Sequence, residues 1–320
     1  VERKRMSLYE DLKASEPIKL ATHYDSDGIY SAAIVASIFK VQNIDFPEFH
    51  KYQNYNVALD LGLPEVEWDG ILVDHHPSSP EYKIPKKYYP GNVPTGVILY
   101  SFLKDKLPKE KAWYVIGSAV GDGQPESIPK EIWKDYPVLL DERGVIYKWK
   151  GESRTSEVPM FYYLSSGCNA FCRLGVPQRA FEIVMECKDP LEFIENPDVQ
   201  YYISRVRDEE ETIYKSRFIV ETYGRIVYVR IATSQDNYKF ASLIASKLQS
   251  GNSFNTYIVV NEKNGELSIR GFLSDLIVEY LNSKGIKCGG HSSFAGGRIE
   301  NKDLNTLTQV VRRIKYEIFH

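Results

Sequence analysis

At 320 residues the chain is long enough to bury a sizeable core, and it reads as two domains rather than one. Hydrophobic residues at 43% and charged residues at 26% are ordinary for a soluble globular protein, and no run of about 18 apolar residues marks a transmembrane helix. The net charge of −3 argues neither for nor against nucleic acid, but it is divided unevenly: Tyr223 to His320 carries thirteen basic and eight acidic residues, a net of +5, leaving −8 for the rest.

The opening residues VERKRMSLYE are charged and lack an apolar signal stretch, so the cytoplasm is the expected location. IKLAT (Ile18 to Thr22) predicts a buried strand. Ile29, Ala32, Ala33, Ala36, Phe39 and Lys40 follow at three-and-four spacing and predict a helix. NVALD (Asn56 to Asp60) and GILVD (Gly70 to Asp74) predict two more short strands, each ending in an aspartate. GVILYSFL and WYVIGSAVG read as buried helices. This alternation predicts an α/β fold with a parallel sheet, whose ligands sit outside the carboxyl ends of the strands.

Residues from about Pro177 to Lys215 are helical in pattern and strongly charged, as a connector would be. Beyond them come strand GRIVYVRIA, helix YKFASLIASKL and strands TYIVVNE and ELSIRG, with Lys263-Asn264-Gly265 as a hairpin turn. Helix DLIVEYLNSKG, a glycine-rich loop and a final amphipathic helix follow. The expected division is a catalytic domain over 1–185, a helical connector over 186–222 and a smaller α/β domain over 223–320. Cys168, Cys172, Cys187 and Cys288 do not form a disulfide framework, and without a fourth ligand at zinc spacing they read as structural thiols.

Chemistry concentrates in a few places. In THYDSDG, His23, Asp25 and Asp27 alternate after a strand, so their side chains share a face; the same acids would also serve as helix caps. LVDHHPSS places His75 and His76 after a strand, with Asp74 as a carboxylate to orient a metal-bound imidazole, or else forms a solvated turn. Asp60 and Asp122 are ligands or ordinary turn acids. Leaving Asp74 aside, together they make four carboxylates and at least two imidazoles, a set that suits Mn²⁺, with Mg²⁺, Co²⁺ or Zn²⁺ as substitutes. Two divalent ions would relieve the repulsion of four carboxylates and suit an in-line phosphoryl displacement. In the second module, Arg270 in SIRG can grip phosphate, and the glycines around His291 in CGGHSSFAGGRI let backbone amides approach an anion; a glycine-rich turn with a surface arginine is the plainer reading. The charge division fits a carboxylate site with a phosphate-binding module, and equally an uneven solvated surface.

These motifs resemble the DHH phosphoesterase superfamily, in particular members with the DHH-associated C-terminal domain. HYDSDG is similar to its first motif, ALDLG to the second, VDHHP to the third, AVGDG to the fourth and GGHSSFAGG to the glycine-histidine motif of the C-terminal domain. The resemblance implies two Mn²⁺ ions held by His23, Asp25, Asp27, Asp60, His75 and Asp122, with Asp60 bridging. It implies that His76 and His291 act on the substrate phosphate and that Asp74 orients. Arg270, Gly289, Gly290, His291, Ser292, Gly296, Gly297 and Arg298 would bind the phosphate or terminal nucleotide. The short spacing His23-x-Asp25-x-Asp27 and the run Gly121-Asp122-Gly123-Gln124 are similar to RecJ-like proteins of the archaeal type. No separate oligonucleotide-binding domain of the bacterial RecJ kind is visible.

The expected function is therefore a Mn²⁺-dependent exonuclease on single-stranded DNA or RNA. A phosphodiesterase of very short oligonucleotides or cyclic dinucleotides is the alternative, and a non-catalytic replication or repair scaffold is the reading from another class. Expected partners are single-stranded nucleic acid and a replication or repair protein, with no membrane. Polarity and oligomeric state stay open. Tyr162, Tyr163 and the aromatics of Tyr147 to Trp149 are candidates for base stacking.

Overall fold

Strand β1 (Ile18–Thr22) takes up the first apolar run of the chain, in a computed structural model that describes residues 7–47, 50–76, 82–149, 152–216, 218–291, 294–300 and 303–318. It lies in a five-stranded sheet with β2 (Val41–Asp45), β3 (Val57–Leu59), β4 (Ile71–Asp74) and β5 (Lys87–Pro90), in the order β2-β1-β3-β4-β5. Every neighbouring pair is parallel. The inner strands are almost wholly buried, which is why they read as continuous apolar runs. The edge strands β2 and β5 are partly exposed and carry VQNID and KYYP, so no apolar run announces them.

Helices α1 (Leu8–Ala14), α2 (Ser26–Ala36), α3 (Thr95–Leu103) and α4 (Trp113–Gly121) accompany this sheet. The predicted first-motif helix stops at Ala36 rather than Lys40, because the chain must turn to begin β2 beside β1. Helices α2 and α4 pack closely through small residues. A Cβ on Gly117 would overlap the ring of Tyr30, which is fully buried and edge-on to Trp113 at 5.6 Å. Each large side chain buried in this way contributes about 1.5–3 kcal/mol.

Further along come α5 (Lys130–Asp135), the hairpin β6 (Glu142–Trp149) and β7 (Glu152–Pro159), α6 (Tyr162–Arg173), α7 (Pro177–Glu186), α8 (Pro190–Glu195) and α9 (Pro197–Ser216). Cys168, Cys172 and Cys187 are buried and in no disulfide, and burial pushes Cys187 up to about 12. None of them joins a metal-competent group among the described residues. Tyr162 is exposed at the start of α6, whereas the side chains of Tyr147 to Trp149 lie outside the described residues.

Two compact units result: Val1–Tyr147 with Arg154–Cys172 and Val176–Ser204, and Lys148–Ser153 with Arg173–Gly175 and Arg205–His320. The second is built on a six-stranded mixed sheet of β8 (Phe218–Tyr223), β9 (Ile226–Ile231), β10 (Thr256–Asn261), β11 (Glu266–Arg270), β12 (Cys288–His291) and β13 (Phe294–Arg298). Its order is β12-β13-β11-β10-β9-β8, and only β9 and β10 are parallel. Helices α10 (Ala241–Gly251), α11 (Ser274–Ser283) and α12 (Leu304–Ile318) complete it, with Ile226, Ile258, Ile269, Ile277 and Leu307 in its core. The Lys263-Asn264-Gly265 turn is present, with Gly265 at φ +72°.

One expectation is corrected here. The glycine-rich stretch is a strand pair rather than a loop, with Cys288 opposite Gly297 and Gly289 opposite Gly296. Glycines carry no side chains to display a period of two, and the ladder needs their smallness. A Cβ on Gly297 would lie 2.7 Å from the Lys287 carbonyl oxygen, and one on Gly296 would lie 2.9 Å from that of Leu267. No helix among the described residues is long and apolar enough to cross a membrane.

Candidate metal centre

The strand order reverses direction at β1, whose neighbours are β2 and β3, so the crevice at the carboxyl ends of β1 and β3 is the topological switch point of the sheet. The sequence places its acids and histidines there. His23 follows β1, with its amide bonded to the Leu59 carbonyl at 3.3 Å. Asp25 is the N-cap of α2 and Asp27 lies in its first turn. Asp60 follows β3, Asp74 ends β4 just before His75 and His76, and Asp122 caps the C-terminus of α4.

Asp60 has φ +61°, a left-handed conformation that non-glycine residues seldom adopt. Its amide donates to the Val73 carbonyl at 3.0 Å, which fixes this turn against β4. The consequence is that its two oxygens face different imidazoles. Oδ2 lies 3.6 Å from His23 Nδ1, and Oδ1 lies 3.2 Å from His75 Nε2. Around these contacts two sets of metal-competent atoms form: His23, Asp25 and Asp60, and Asp27, His75 and Asp122. His23 Nδ1 is 2.7 Å from Asp25 Oδ2, while His75 Nε2 is 3.0 Å from Asp122 Oδ2 and 3.7 Å from Asp27 Oδ2. A third set combines Asp60, His75 and His76.

Asp25 is placed for both a cap and a ligand. Its Oδ1 accepts the Gly28 amide at 2.9 Å as a helix cap, and Oδ2 faces His23. The Asp74 carboxylate accepts from His76 Nδ1 at 2.9 Å and from the His76 amide at 3.2 Å, so the imidazole it orients is that of His76. The strand has ended at Asp74, and its side chain forms an Asx turn by accepting the amide two residues on.

The electrostatics describe a site short of positive charge. Burial alone would lower the His23 pKa, but Asp25 and then Asp60 outweigh it and lift the imidazole from 6.5 to about 10. Burial likewise opposes protonation of His75, which Asp122 and Asp60 raise to about 12. Burial, then Asp60 and Asp122, push Asp27 well above the usual carboxylate range. Asp122 rises to about 6, chiefly by burial. Asp60 goes the other way, held low against its burial by His23 and His75. Asp60 Oδ2 and Asp122 Oδ2 are shielded from solvent, and among the described residues neither receives a well-aligned hydrogen bond. Buried carboxylate oxygens in that condition are costly without a cation. The donor set of carboxylate oxygens and imidazole nitrogens fits divalent ions such as Mn²⁺ or Mg²⁺.

Several residues around this cluster were not singled out from the sequence. Asp27 Oδ1 accepts from Ser118 Oγ at 2.6 Å, Ser31 Oγ at 3.1 Å and the Gly96 amide at 3.1 Å, and Oδ2 accepts from the Thr95 amide at 2.7 Å. Thr95 Oγ1 also donates to Asp60 Oδ1 at 3.4 Å. The one available signal was Ser118 itself, a hydroxyl inside the apolar run WYVIGSAVG. Asn169 Oδ1 accepts the Ser26 amide at 3.1 Å at the start of α2.

In the second unit, Arg270 is bonded locally. Its guanidinium donates to Ser242 Oγ at 2.9 Å and to the Ala295 carbonyl at 3.1 Å. Gly289 and Gly290 lie in β12, at the edge of the sheet; Gly296, Gly297 and the exposed Arg298 lie in β13. His291 ends β12; its side chain and Ser292 lie outside the described residues.

No family model matches the sequence, and no curated relative matches it. Solved structures do. The chain is similar to RecJ of Thermus thermophilus in complex with Mn²⁺, with a TM-score of 0.63 and 16% identity over 93% of this chain and 51% of that one. An exonuclease RecJ bound to manganese matches with a TM-score of 0.57 and 14% identity, over 93% of this chain and 89% of the other. A pGpG-specific phosphodiesterase, PggH from Vibrio cholerae, matches with a TM-score of 0.50 and 17% identity, over 91% and 96%. The chain thus has the RecJ-like, two-domain α/β fold of DHH phosphoesterases, and it spans about half the length of the Thermus RecJ.

Proposed function

We propose that the chain is a divalent-metal-dependent phosphodiesterase working in the cytoplasm as an exonuclease on single-stranded DNA or RNA, with Mn²⁺ as the working metal and Mg²⁺ or Co²⁺ as substitutes. The observation that carries this reading is Asp60, whose two oxygens face the imidazoles of two separate ligand sets. His23, Asp25 and Asp60 would hold one ion, and Asp27, Asp60, His75 and Asp122 the other. Paired ions supply Lewis acidity to the oxygens exchanged in a phosphoryl displacement. The chain's own part is to orient. The Asp74 carboxylate engages His76 Nδ1, so a hydrogen bond to a substrate phosphate would come from the Nε2–H of the protonated ring. Arg270, Gly289, Gly290, His291, Ser292, Gly296, Gly297 and Arg298 are proposed to receive the phosphate or terminal nucleotide. The RecJ likenesses, one of them an exonuclease bound to manganese, support the exonuclease reading.

A second reading keeps the chemistry and shortens the substrate. The likeness to the pGpG-specific phosphodiesterase extends over 96% of that protein, which favours dinucleotides or other very short strands. Digestion of 5′- and 3′-labelled DNA and RNA of graded length with Mn²⁺ distinguishes the two. Stepwise release of mononucleotides from long strands supports the exonuclease, and turnover confined to the shortest strands supports the second reading. Full activity after Asp60→Ala and Asp122→Ala replacement would refute both.

A further inference from the structure

Asp27 is fully buried, and its carboxylate is held by four donors from three helices. Their distribution between its oxygens is uneven. Oδ1 receives Ser118 Oγ, Ser31 Oγ and the Gly96 amide, more donors than its two lone pairs accommodate well. Among the described residues Oδ2 receives only the Thr95 amide, and it is the oxygen that lies 3.7 Å from His75 Nε2. The N-terminus of α3 has no side-chain cap of its own, since Pro94 precedes it, so Asp27 also serves as its cap from a distance. Space for the Ser118 hydroxyl exists because residue 96 is glycine: a Cβ there would sit 2.5 Å from Ser118 Oγ.

We infer that Ser118 is a positioning residue for the metal centre, which with Ser31 and the Gly96 amide saturates Asp27 Oδ1 and so commits that carboxylate to a one-oxygen contact, through Oδ2, with the ion held alongside His75 and Asp122. The inference rests on the metal reading given above. At 2.6 Å the Ser118 bond is short, and it fixes the rotation of the Asp27 carboxylate. A carboxylate held in this way cannot chelate with both oxygens. That restriction disfavours Ca²⁺, which accepts bidentate carboxylates and a larger shell, relative to smaller octahedral ions.

The test is Mn²⁺ binding to the full chain, followed by the electron paramagnetic resonance signal of the free ion, for wild type, Ser118→Ala and Ser31→Ala. Asp25→Ala and Asp122→Ala serve to assign the two sites. Ser118→Ala is expected to weaken the site lost in Asp122→Ala by about 10- to 100-fold and to leave the site lost in Asp25→Ala within about two-fold. Ser31→Ala should weaken the same site by a smaller factor, and it carries the test if Ser118→Ala does not fold. Ca²⁺ should compete better against Mn²⁺ in both variants. A lower melting temperature of the metal-free Ser118→Ala protein with both affinities intact indicates a structural role only and overturns the inference, as does equal weakening of both sites. Wild-type protein that binds no Mn²⁺ overturns the metal reading itself and this inference with it.

Discussion

Replacing Gly28 by alanine tests how tightly the first motif is built. A Cβ at this position would lie 2.7 Å from the His23 carbonyl carbon and 2.9 Å from the His23 amide nitrogen, and nearer still to the carbonyl oxygen. All three are backbone atoms, so no side chain can swing aside. The two segments are also tied together, since Thr22 Oγ1 donates to the Gly28 carbonyl at 2.7 Å and the Gly28 amide donates to Asp25 Oδ1 at 2.9 Å. Non-bonded carbon contacts prefer about 3.5–4 Å, so the backbone must open by about 1 Å. Overpacking of this kind costs about 1–3 kcal/mol, offset by at most about 1 kcal/mol of helix propensity gained over glycine. At roughly 2–4 °C per kcal/mol, melting should fall by several degrees. The movement displaces His23 and Asp25 together, so stabilisation by added Mn²⁺ should also shrink. Thermal melts with and without Mn²⁺ read both effects. Gly251→Ala, where a Cβ meets nothing within 4 Å, is the control. Gly28→Ala protein with wild-type melting and a wild-type response to Mn²⁺ would refute the reasoning.

Chelation should destabilise the protein. At free Mn²⁺ about 100-fold above its dissociation constant each ion adds about 2.7 kcal/mol, roughly 5–10 °C in melting temperature, and a melt insensitive to Mn²⁺ counts against the site. Asp74→Asn should keep its metal content but lower turnover by about 10- to 100-fold, because it disturbs His76; loss of metal instead would mean that Asp74 supports a ligand. Gly117→Ala should cost about 1–3 kcal/mol through overlap with the Tyr30 ring while leaving metal binding unchanged, so an unaltered melting curve would contradict the packing described for α2 and α4.

Much of the parallel sheet was legible in the chain because its inner strands are buried on both faces and lead into acids or histidines. Ile18–Thr22, Asn56–Asp60 and Gly70–Asp74 each signal a strand and, at or just beyond the end, a candidate ligand. The edge strands β2, β5 and β8 were not legible, since half-exposed strands carry mixed residues. Nor was the hairpin β12–β13, whose glycines hide the alternation. At the site, the six ligand candidates could be named from spacing and resemblance. How Asp60 divides its oxygens could not, because it depends on a positive φ that aspartate rarely adopts. The pairing of Asp74 with His76 follows from the tendency of aspartate to form an Asx turn at a strand end, which is easily missed beside His75. The Asp27 clamp draws on Ser31, Thr95, Gly96 and Ser118, which only the packing of three helices brings together.

The most direct test is the metal content of wild type, Asp25→Ala, Asp122→Ala and Asp60→Ala equilibrated side by side with Mn²⁺. Wild type should hold two ions per chain, Asp25→Ala and Asp122→Ala one each, and Asp60→Ala should lose both under conditions where the other variants keep one. Asp60→Ala protein that retains an ion as tightly as either single-site variant would contradict a carboxylate shared between two metals.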